Sequence, residues 1–281
     1  MVDFMENNYS VLMSVYYKEK PEYLYQSMQS IYEQTIETDN FVLVCDGILN
    51  NGLNEVIAEM QQKFGERLYV HRLHKNGGLG NALNVGMKDC QNELIARMDS
   101  DDISHRDRCE KELNIFKQYS EVSVVSGIIE EFTGNINNIH SKRVVPQNQN
   151  EIFSFAKKRN PFNHPCVMYK KSAVEKVGGY QDFFLLEDYF LWIRMLKDGF
   201  IGYNIQEPIL WMRAGSDMYK RRGGFKYILS QKKLFKYMRD IKFITKEEYI
   251  MQIVIRTGIS IIPNNMRRFV FKIFLRMNHK R

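Results

Sequence analysis

Glu93-Leu94-Ile95-Ala96-Arg97-Met98 reads as a β-strand that stops abruptly at Asp99-Ser100-Asp101-Asp102. In open α/β sheets ligands bind at the carboxyl ends of the strands, which is where these acids stand. Carboxylates there attract a divalent cation. Mg²⁺ or Mn²⁺ is held by one or two of them while substrate phosphates complete the shell, so Asp99 and Asp101 are spaced for a metal–diphosphate complex. The same acids also suit a solvated turn ahead of a helix, where carboxylates complement the dipole. That helix is expected to open at Ser104, capped together with Asp107 three positions on.

Upstream, short apolar runs alternate with helical patterns. Val11-Leu12-Met13-Ser14-Val15, Phe41-Val42-Leu43-Val44-Cys45 and Leu68-Tyr69-Val70-His71 read as strands. A helix opens at Pro21, and others run near Leu53 to Phe64 and Leu79 to Lys88. This alternation predicts an α/β nucleotide-binding architecture, a mostly parallel sheet covered by helices on both faces. Downstream, Val122 to Val125 and Ile128-Ile129 read as two further strands, and Asn135 to Asn150 as an exposed polar connection. Leu185 to Lys197 returns to helix and Ile201 to Ile205 to strand. There is no internal repeat and no low-complexity segment.

With 281 residues, 44% apolar and 26% charged, the chain is long and apolar enough to bury a large core, which excludes a disordered protein. Cys45, Cys90, Cys109 and Cys166 show no CxxC spacing, so neither a zinc ribbon nor a disulfide framework is expected, and a reducing cytosol is the natural compartment. Met1 to Asn8 carries acids and amides where a signal peptide has a basic start and an apolar run, and no apolar stretch reaches the roughly 20 residues of a membrane span. The formal charge of +7 conceals an asymmetry. Tyr219 to Arg281 carries 17 Lys+Arg against 3 Asp+Glu, a net of +14, whereas Met1 to Met218 carries 23 against 30, a net of −7. Two regions of opposite electrostatics are therefore expected, residues 1–218 and residues 219–281, the latter a basic helical extension that seeks phosphate, whether nucleic acid, anionic lipid or a diphosphate ligand. In its last part Met266, Phe269, Val270, Ile273, Phe274 and Met277 share one face of a helix with Arg267, Arg268, Lys272 and Arg276 mostly on the other, a pattern for an anionic membrane surface or for packing on the catalytic domain.

Three other segments carry candidate chemistry. His74-Lys75-Asn76-Gly77-Gly78-Leu79-Gly80-Asn81 follows a strand and precedes a helix, with glycines that permit close backbone approach to a ligand. Leu83 stands where a dinucleotide fingerprint has its third glycine, and no P-loop is present. Glu187-Asp188 opens a helix, where acids complement the dipole, yet an aspartate there is also placed to take a proton from an attacking hydroxyl. His164, in Asn163-His164-Pro165-Cys166, has no second histidine at metal spacing, which leaves a structural or acceptor-side role. Arg213, Lys220, Arg221 and Arg222 surround Gly215, Gly223 and Gly224, a basic segment suited to closing over phosphates.

In this order, Val11 to Tyr16, Val44-Cys45-Asp46-Gly47, Asn76-x-Gly78-x-x-x-Ala82-x-Asn84-x-Gly86, Met98 to Asp102 and Glu187-Asp188-Tyr189-x-Leu191-Trp192 resemble the family 2 glycosyltransferases with the GT-A fold. The resemblance spans roughly residues 10–213 and is greatest to bacterial capsule and exopolysaccharide enzymes, in which Met-Asp-x-Asp-Asp-Ile and Tyr-Lys-Arg-Arg-Gly-Gly recur. It implies inverting transfer of a hexose from a nucleoside diphosphate sugar, a UDP-sugar first, dependent on Mn²⁺ or Mg²⁺. Tyr16, Glu19 and Asp46 would then border base and ribose, Asp99 the ribose or metal, and Asp101 the metal. Asp188, with Glu187 beside it, would be the base. Asn76 and Asn84 belong to the donor side, and His164 and Trp192 to the acceptor side. Many relatives have Arg where Leu83 stands, so donor-phosphate contacts fall to Lys75 or to Arg221 and Arg222.

The resemblance also implies a glycan acceptor, on a polyprenyl diphosphate lipid, in capsule, exopolysaccharide or O-antigen synthesis. With no membrane span, the enzyme is expected in the cytoplasm, peripheral on the inner face of the cell membrane, with a homo-oligomer left open. A sugar-1-phosphate nucleotidyltransferase and an inactive scaffold of the same fold are the competing classes. Nucleic-acid binding is not expected, for want of a helix-turn-helix, zinc-finger or RNP pattern.

Overall fold

A computed structural model describes residues 8–214, 224–261 and 277–278. The apolar runs of the first hundred residues form four parallel strands: β1 (Ser10–Val15), β2 (Asn40–Cys45), β3 (Leu68–Arg72) and β4 (Leu94–Asp99). Their order is β3-β2-β1-β4, with Val15 paired to Cys45 on one side and Ser14 to Asp99 on the other. The chain runs outward from β1 to β3 and then returns to β4 across β1. The carboxyl ends of β1 and β4 therefore flank the switch point at which open α/β sheets receive ligands.

Strand alternation decides which helix covers which face. Val11, Met13, Val15, Phe41 and Leu43 meet α1 (Pro21–Tyr32) and α2 (Asn51–Phe64) through Leu24, Met28, Leu53, Ile57 and Met60. Leu12, Val42 and Val44 face the other way, against Ala82, Leu83 and Met87 of α3 (Leu79–Asp89). Gly86 makes that approach possible, because a Cβ there would stand 2.5 Å from both Leu12 Cδ1 and Val44 Cγ2. Proline at the start of α1 and Asn50 capping α2, its side chain accepting from Leu53 N–H, fix the helix starts.

The second half of the sheet is mixed. β5 (Ile103–Ser104) and α4 (Arg108–Gln118) lead into β6 (Val122–Phe132), and β9 (Ile201–Arg213) runs parallel beside it. Ser104 pairs with Leu210 in the sheet, so it does not cap a helix, and α4 opens after Asp107. β6 is one strand of 11 residues instead of two short ones. Ser126 and Gly127 continue it because the serine hydroxyl receives Asn163 N–H at 3.0 Å and the glycine makes room for Ile209. The polar stretch Asn135 to Asn150, expected as an exposed connection, contains β7 (Ile139–Arg143) and the start of α5 (Gln149–Ala156). Its backbone finds the free edge of β6, a tertiary pairing that side-chain polarity does not report. β8 (Met168–Lys170) lies antiparallel between β4 and β6, followed by α6 (Lys171–Lys176) and α7 (Glu187–Lys197).

Two more helices, α8 (Phe225–Asp240) and α9 (Lys246–Ile261), pack on each other, and Leu234, Phe235, Met238, Phe243 and Ile244 join the core around Trp192 of α7. A reciprocal cap opens α9: Thr245 N–H donates to Glu248 Oε2 at 2.8 Å and Glu248 N–H to Thr245 Oγ1 at 3.2 Å. The expected boundary at 218 and 219, together with Arg221 and Arg222, lies outside the described residues. So does the expected Met266 to Met277 helix except at its end, where Met277 is not helical: it belongs to the two-residue strand β10 (Met277–Asn278) and pairs with Lys142. All four cysteines are free and buried. No helix among the described residues is long and apolar enough to cross a membrane.

Gly86→Ala tests the close packing of α3 on the sheet. The added methyl has no room, so the variant is expected to lose about 1–3 kcal/mol, read as a lower denaturation midpoint at unchanged m.

Candidate functional site

The acidic turn is held from several sides. Its carboxylates, Asp99, Asp101 and Asp102, bring ligand oxygens within 4.8 Å of one another. Ser27 Oγ donates to the Asp99 carbonyl at 2.9 Å, and Ser100 Oγ donates to Glu19 Oε2 at 3.1 Å, which draws Glu19 against the cluster. Arg213, the last residue of β9, closes the far side. Its N–H donates to Asp102 Oδ1 at 2.8 Å and its Nε to the Asp101 carbonyl at 3.0 Å, while its guanidinium lies 3.8 Å over the Tyr23 ring. Burial, Asp99 and Glu19 push the Asp101 carboxyl up to about 7, and Asp102, fully buried, is raised as well. Such a group of hard oxygen donors, with more negative charge than neighbouring cations balance, fits a divalent cation.

The glycine loop is tied to the end of β2 through Asp46. That buried carboxylate accepts from Gly77 N–H at 2.7 Å, Gly78 N–H at 3.0 Å and Asn76 Nδ2 at 2.9 Å. Asp46, expected to border a ribose, thus fixes the loop's shape. Gly47 follows at φ +91°, where a Cβ would stand 2.8 Å from Asn76 N, so only glycine admits the loop this close. Lys75 and Tyr16 are exposed beside this edge. Asn84 points away from it: its amide donates to Tyr180 O at 2.6 Å and accepts from Tyr180 N at 2.8 Å, which pins α3 to the segment before α7.

Glu187 and Asp188 stand at the first turn of α7, across from the start of α3, where a Cβ on Gly80 would lie 3.9 Å from Glu187 Cβ. Asp188 accepts from Tyr189 N–H at 2.7 Å and from Asn160 Nδ2 at 2.5 Å. Burial raises its carboxyl, while those two donors, Arg143 and Arg97 hold it down. Glu187 is pushed up to about 7 by burial and by Asp188, against its own backbone N–H and Arg97, and it has no counterpart of the Asn160 bond. Of the adjacent acids, Asp188 is the one fixed in place. His164 and Trp192 do not reach solvent at this site. Trp192 is fully buried against Phe162, His164 and Tyr169, because the apolar side of α7 faces the sheet. His164, neutral through burial and the proximity of Arg97, bonds Tyr180 Oη at 2.9 Å.

Sequence reasoning missed Arg97. Its side chain is 1% exposed on the inner face of β4, paired with Asp99, while Nε and one terminal nitrogen have no protein partner among the described residues. Its charge acts on Asp99, Asp188, Glu187, Tyr180 and His164 alike. A charged residue inside an otherwise apolar strand was the available signal. Asn160, in a loop, offered none.

A family model described as Glycosyl transferase family 2 matches residues 10–178. An Escherichia coli UDP-Gal:alpha-D-GlcNAc-diphosphoundecaprenol beta-1,3-galactosyltransferase is 36% identical over 268 residues, covering 95% of this chain and 96% of that one. The amylovoran biosynthesis glycosyltransferase AmsE of Erwinia amylovora is 35% identical over 94% of this chain and 98% of its own. Among solved structures, Staphylococcus aureus TarS 1-349 in complex with UDP-GlcNAc has a TM-score of 0.65 at 15% identity, covering 95% of this chain and 76% of that one. A mannosyltransferase from Pyrobaculum calidifontis, in complex with GDP-Man and Mn²⁺, has a TM-score of 0.61 at 14% identity, over 92% and 71%. These two likenesses establish a shared fold.

The raised Asp101 carboxyl gives a signed expectation. Ionised among other carboxylates, it destabilises the folded chain above its folded value of about 7, and the cost fades as the pH falls toward the unfolded value. Asp101→Asn is therefore expected to raise Tm without metal at pH 8, with a gain that shrinks steadily toward pH 5. Added Mn²⁺ should stabilise the wild type and not the variant. A gain independent of pH means that Asp101 does not titrate in this range.

Proposed function

The chain belongs to glycosyl transferase family 2, and we propose that it transfers a sugar, with inversion, from a nucleoside diphosphate sugar to a glycan hydroxyl on a polyprenyl diphosphate lipid. The observation that carries this reading is the meeting of two acidic groups across one switch point: the Asp99–Asp101 turn at the end of β4 and Asp188 at the start of α7, with Arg97 between them. The first suits a diphosphate and its cation; the second suits an incoming hydroxyl. A UDP-sugar is the preferred donor, since UDP-Gal is named for the Escherichia coli relative and UDP-GlcNAc is bound in the TarS structure.

Asp99 and Asp101 would hold Mn²⁺ or Mg²⁺, which supplies charge stabilisation for the departing diphosphate. Asp188 takes the proton of the acceptor hydroxyl as its oxygen bonds the anomeric carbon. The bond from that carbon to the β-phosphate oxygen breaks on the opposite side, and the nucleoside diphosphate leaves with the electron pair. Attack from the face opposite the leaving group inverts the anomeric centre. Asn160 keeps Asp188 aimed and opposes the rise that burial imposes on its carboxyl. Tyr16 and Glu19 are assigned to the nucleoside, and Asp46 and Asn76 to the loop beside it. Lys75 is assigned to the phosphates, as are Arg221 and Arg222, which lie outside the described residues.

We assign residues 1–218 to catalysis and residues 219–281 to attachment at an anionic membrane surface. The working place is then the cytoplasmic face of the cell membrane, where a lipid-borne acceptor is presented, in the synthesis of a bacterial surface polysaccharide.

Asp188→Asn keeps the size and the Asn160 contact region of the side chain but cannot accept a proton. Turnover is expected to fall roughly 10²- to 10⁴-fold, with UDP affinity measured by calorimetry little changed. Transfer at near wild-type rate removes Asp188 from the role of base. The product's anomeric configuration, read by NMR coupling constants, tests inversion independently.

A further inference from the structure

α8 and α9 present an unusual outer surface. On α9, Tyr249, Gln252, Ile253 and Arg256 turn inward: Tyr249 and Ile253 pack against the core, Gln252 is buried, and Arg256 lies 4.5 Å over the Phe235 ring. The opposite face carries Ile250 (52% exposed), Met251 (45%), Val254 (67%) and Ile255 (48%). Four adjacent aliphatic side chains in water on one helix face are uncommon on a monomer and mark a contact surface. α8 exposes Phe225 (74%) and Leu229 (48%) together with Lys226, Lys232, Lys233 and Lys236.

We propose that this α8–α9 surface is where the protein lies on an anionic lipid bilayer, the Ile250, Met251, Val254 and Ile255 face entering the headgroup region. The inference rests on the proposed transfer to a lipid-borne acceptor and adds the surface that meets the lipid. Two observations favour lipid over a second copy of the chain. The first is charge: residues 224–261 carry 8 Lys+Arg against 3 Asp+Glu, a net of +5, and the exposed lysines of α8 among them repel a second copy and attract anionic headgroups. The second is position. Arg256 of α9 donates to the Lys158 carbonyl, two residues before Asn160, and Asn160 holds Asp188. Ser230 of α8 donates to the Phe184 carbonyl at 2.7 Å, three residues before Glu187. Both helices are thus fastened to the segments that flank the acceptor-side carboxylates, so a bilayer beneath them brings a lipid-linked hydroxyl to the side from which it must attack.

The test uses the full chain and the variant Ile250→Gln, Met251→Gln, Val254→Gln, Ile255→Gln, in which a good helix former replaces each apolar side chain. Co-sedimentation with vesicles of phosphatidylcholine and phosphatidylglycerol is expected to weaken on the order of tenfold or more. Hydrolysis of the sugar donor by water, and transfer to a short water-soluble acceptor, should stay at wild-type rates; transfer to an acceptor embedded in the vesicles should fall in step with binding. A second variant, Lys232→Gln with Lys236→Gln, should weaken binding to the anionic vesicles and remove part of its salt dependence. Undiminished sedimentation of the fourfold variant overturns the proposal. So does a wild-type dimer in light scattering that the four substitutions split, because the face is then a subunit contact. Failure of soluble-acceptor transfer in the wild type itself would count against the proposed reaction and leave the vesicle result standing.

Discussion

The guanidinium of Arg97 is the cation around which the acidic groups of this protein are arranged. It enters the core from β4 with 1% of its surface exposed, pairs with Asp99, and carries its charge to Glu187 and Asp188 at the start of α7. A buried charge is tolerated only when partners offset its desolvation, and here the partners belong to different parts of the chain. Neutral His164 and the hydroxyl of Tyr180 complete its surroundings, and neither adds a competing charge. Removing this cation would leave Asp99, Glu187 and Asp188 near one another without its balancing charge.

A second buried pair secures the strand that presents it. Arg108 and Glu112, one turn apart on α4 and both without exposed surface, are joined at 3.1 Å, and Arg108 also donates to the Arg97 carbonyl at 2.8 Å. The backbone of β4 is therefore gripped from the α4 side while the Arg97 side chain reaches the α7 side. Asp46 works likewise at the edge of β2, where three N–H groups of the glycine loop converge on one carboxylate. In each case a charged group inside the fold sets the position of backbone near the ligand edge, while the apolar alternation of the strands sets which helices cover which face.

What the sequence made legible was local. The four parallel strands, the helices between them and the acidic turn follow from periodicity and from an abrupt change of residue type, and both survive folding because they concern neighbours in the chain. β7 and the unbroken β6 depend on a partner edge supplied from elsewhere, which no local pattern encodes. The same limit applied to side chains. Asn84 and Trp192 stand in motifs read as donor- and acceptor-side, yet one braces Tyr180 and the other fills the core, since a motif gives order along the chain without the direction in which a side chain points. Asn160 reaches Asp188 across 28 positions of sequence, beyond any spacing rule.

The four cysteines have a practical corollary. Cys45, Cys90, Cys109 and Cys166 are all buried, and burial pushes their thiols up to about 11, 12, 12 and 11. Thiolate is the reactive form, so at neutral pH the native sulfhydryls of the folded chain are slow toward alkylating dyes. A cysteine introduced on an exposed helix position would then be the fastest to react, and a fluorophore or spin label can be attached there without first building a cysteine-free background. The packing that silences these thiols makes the natural chain ready for distance and depth measurements by spectroscopy.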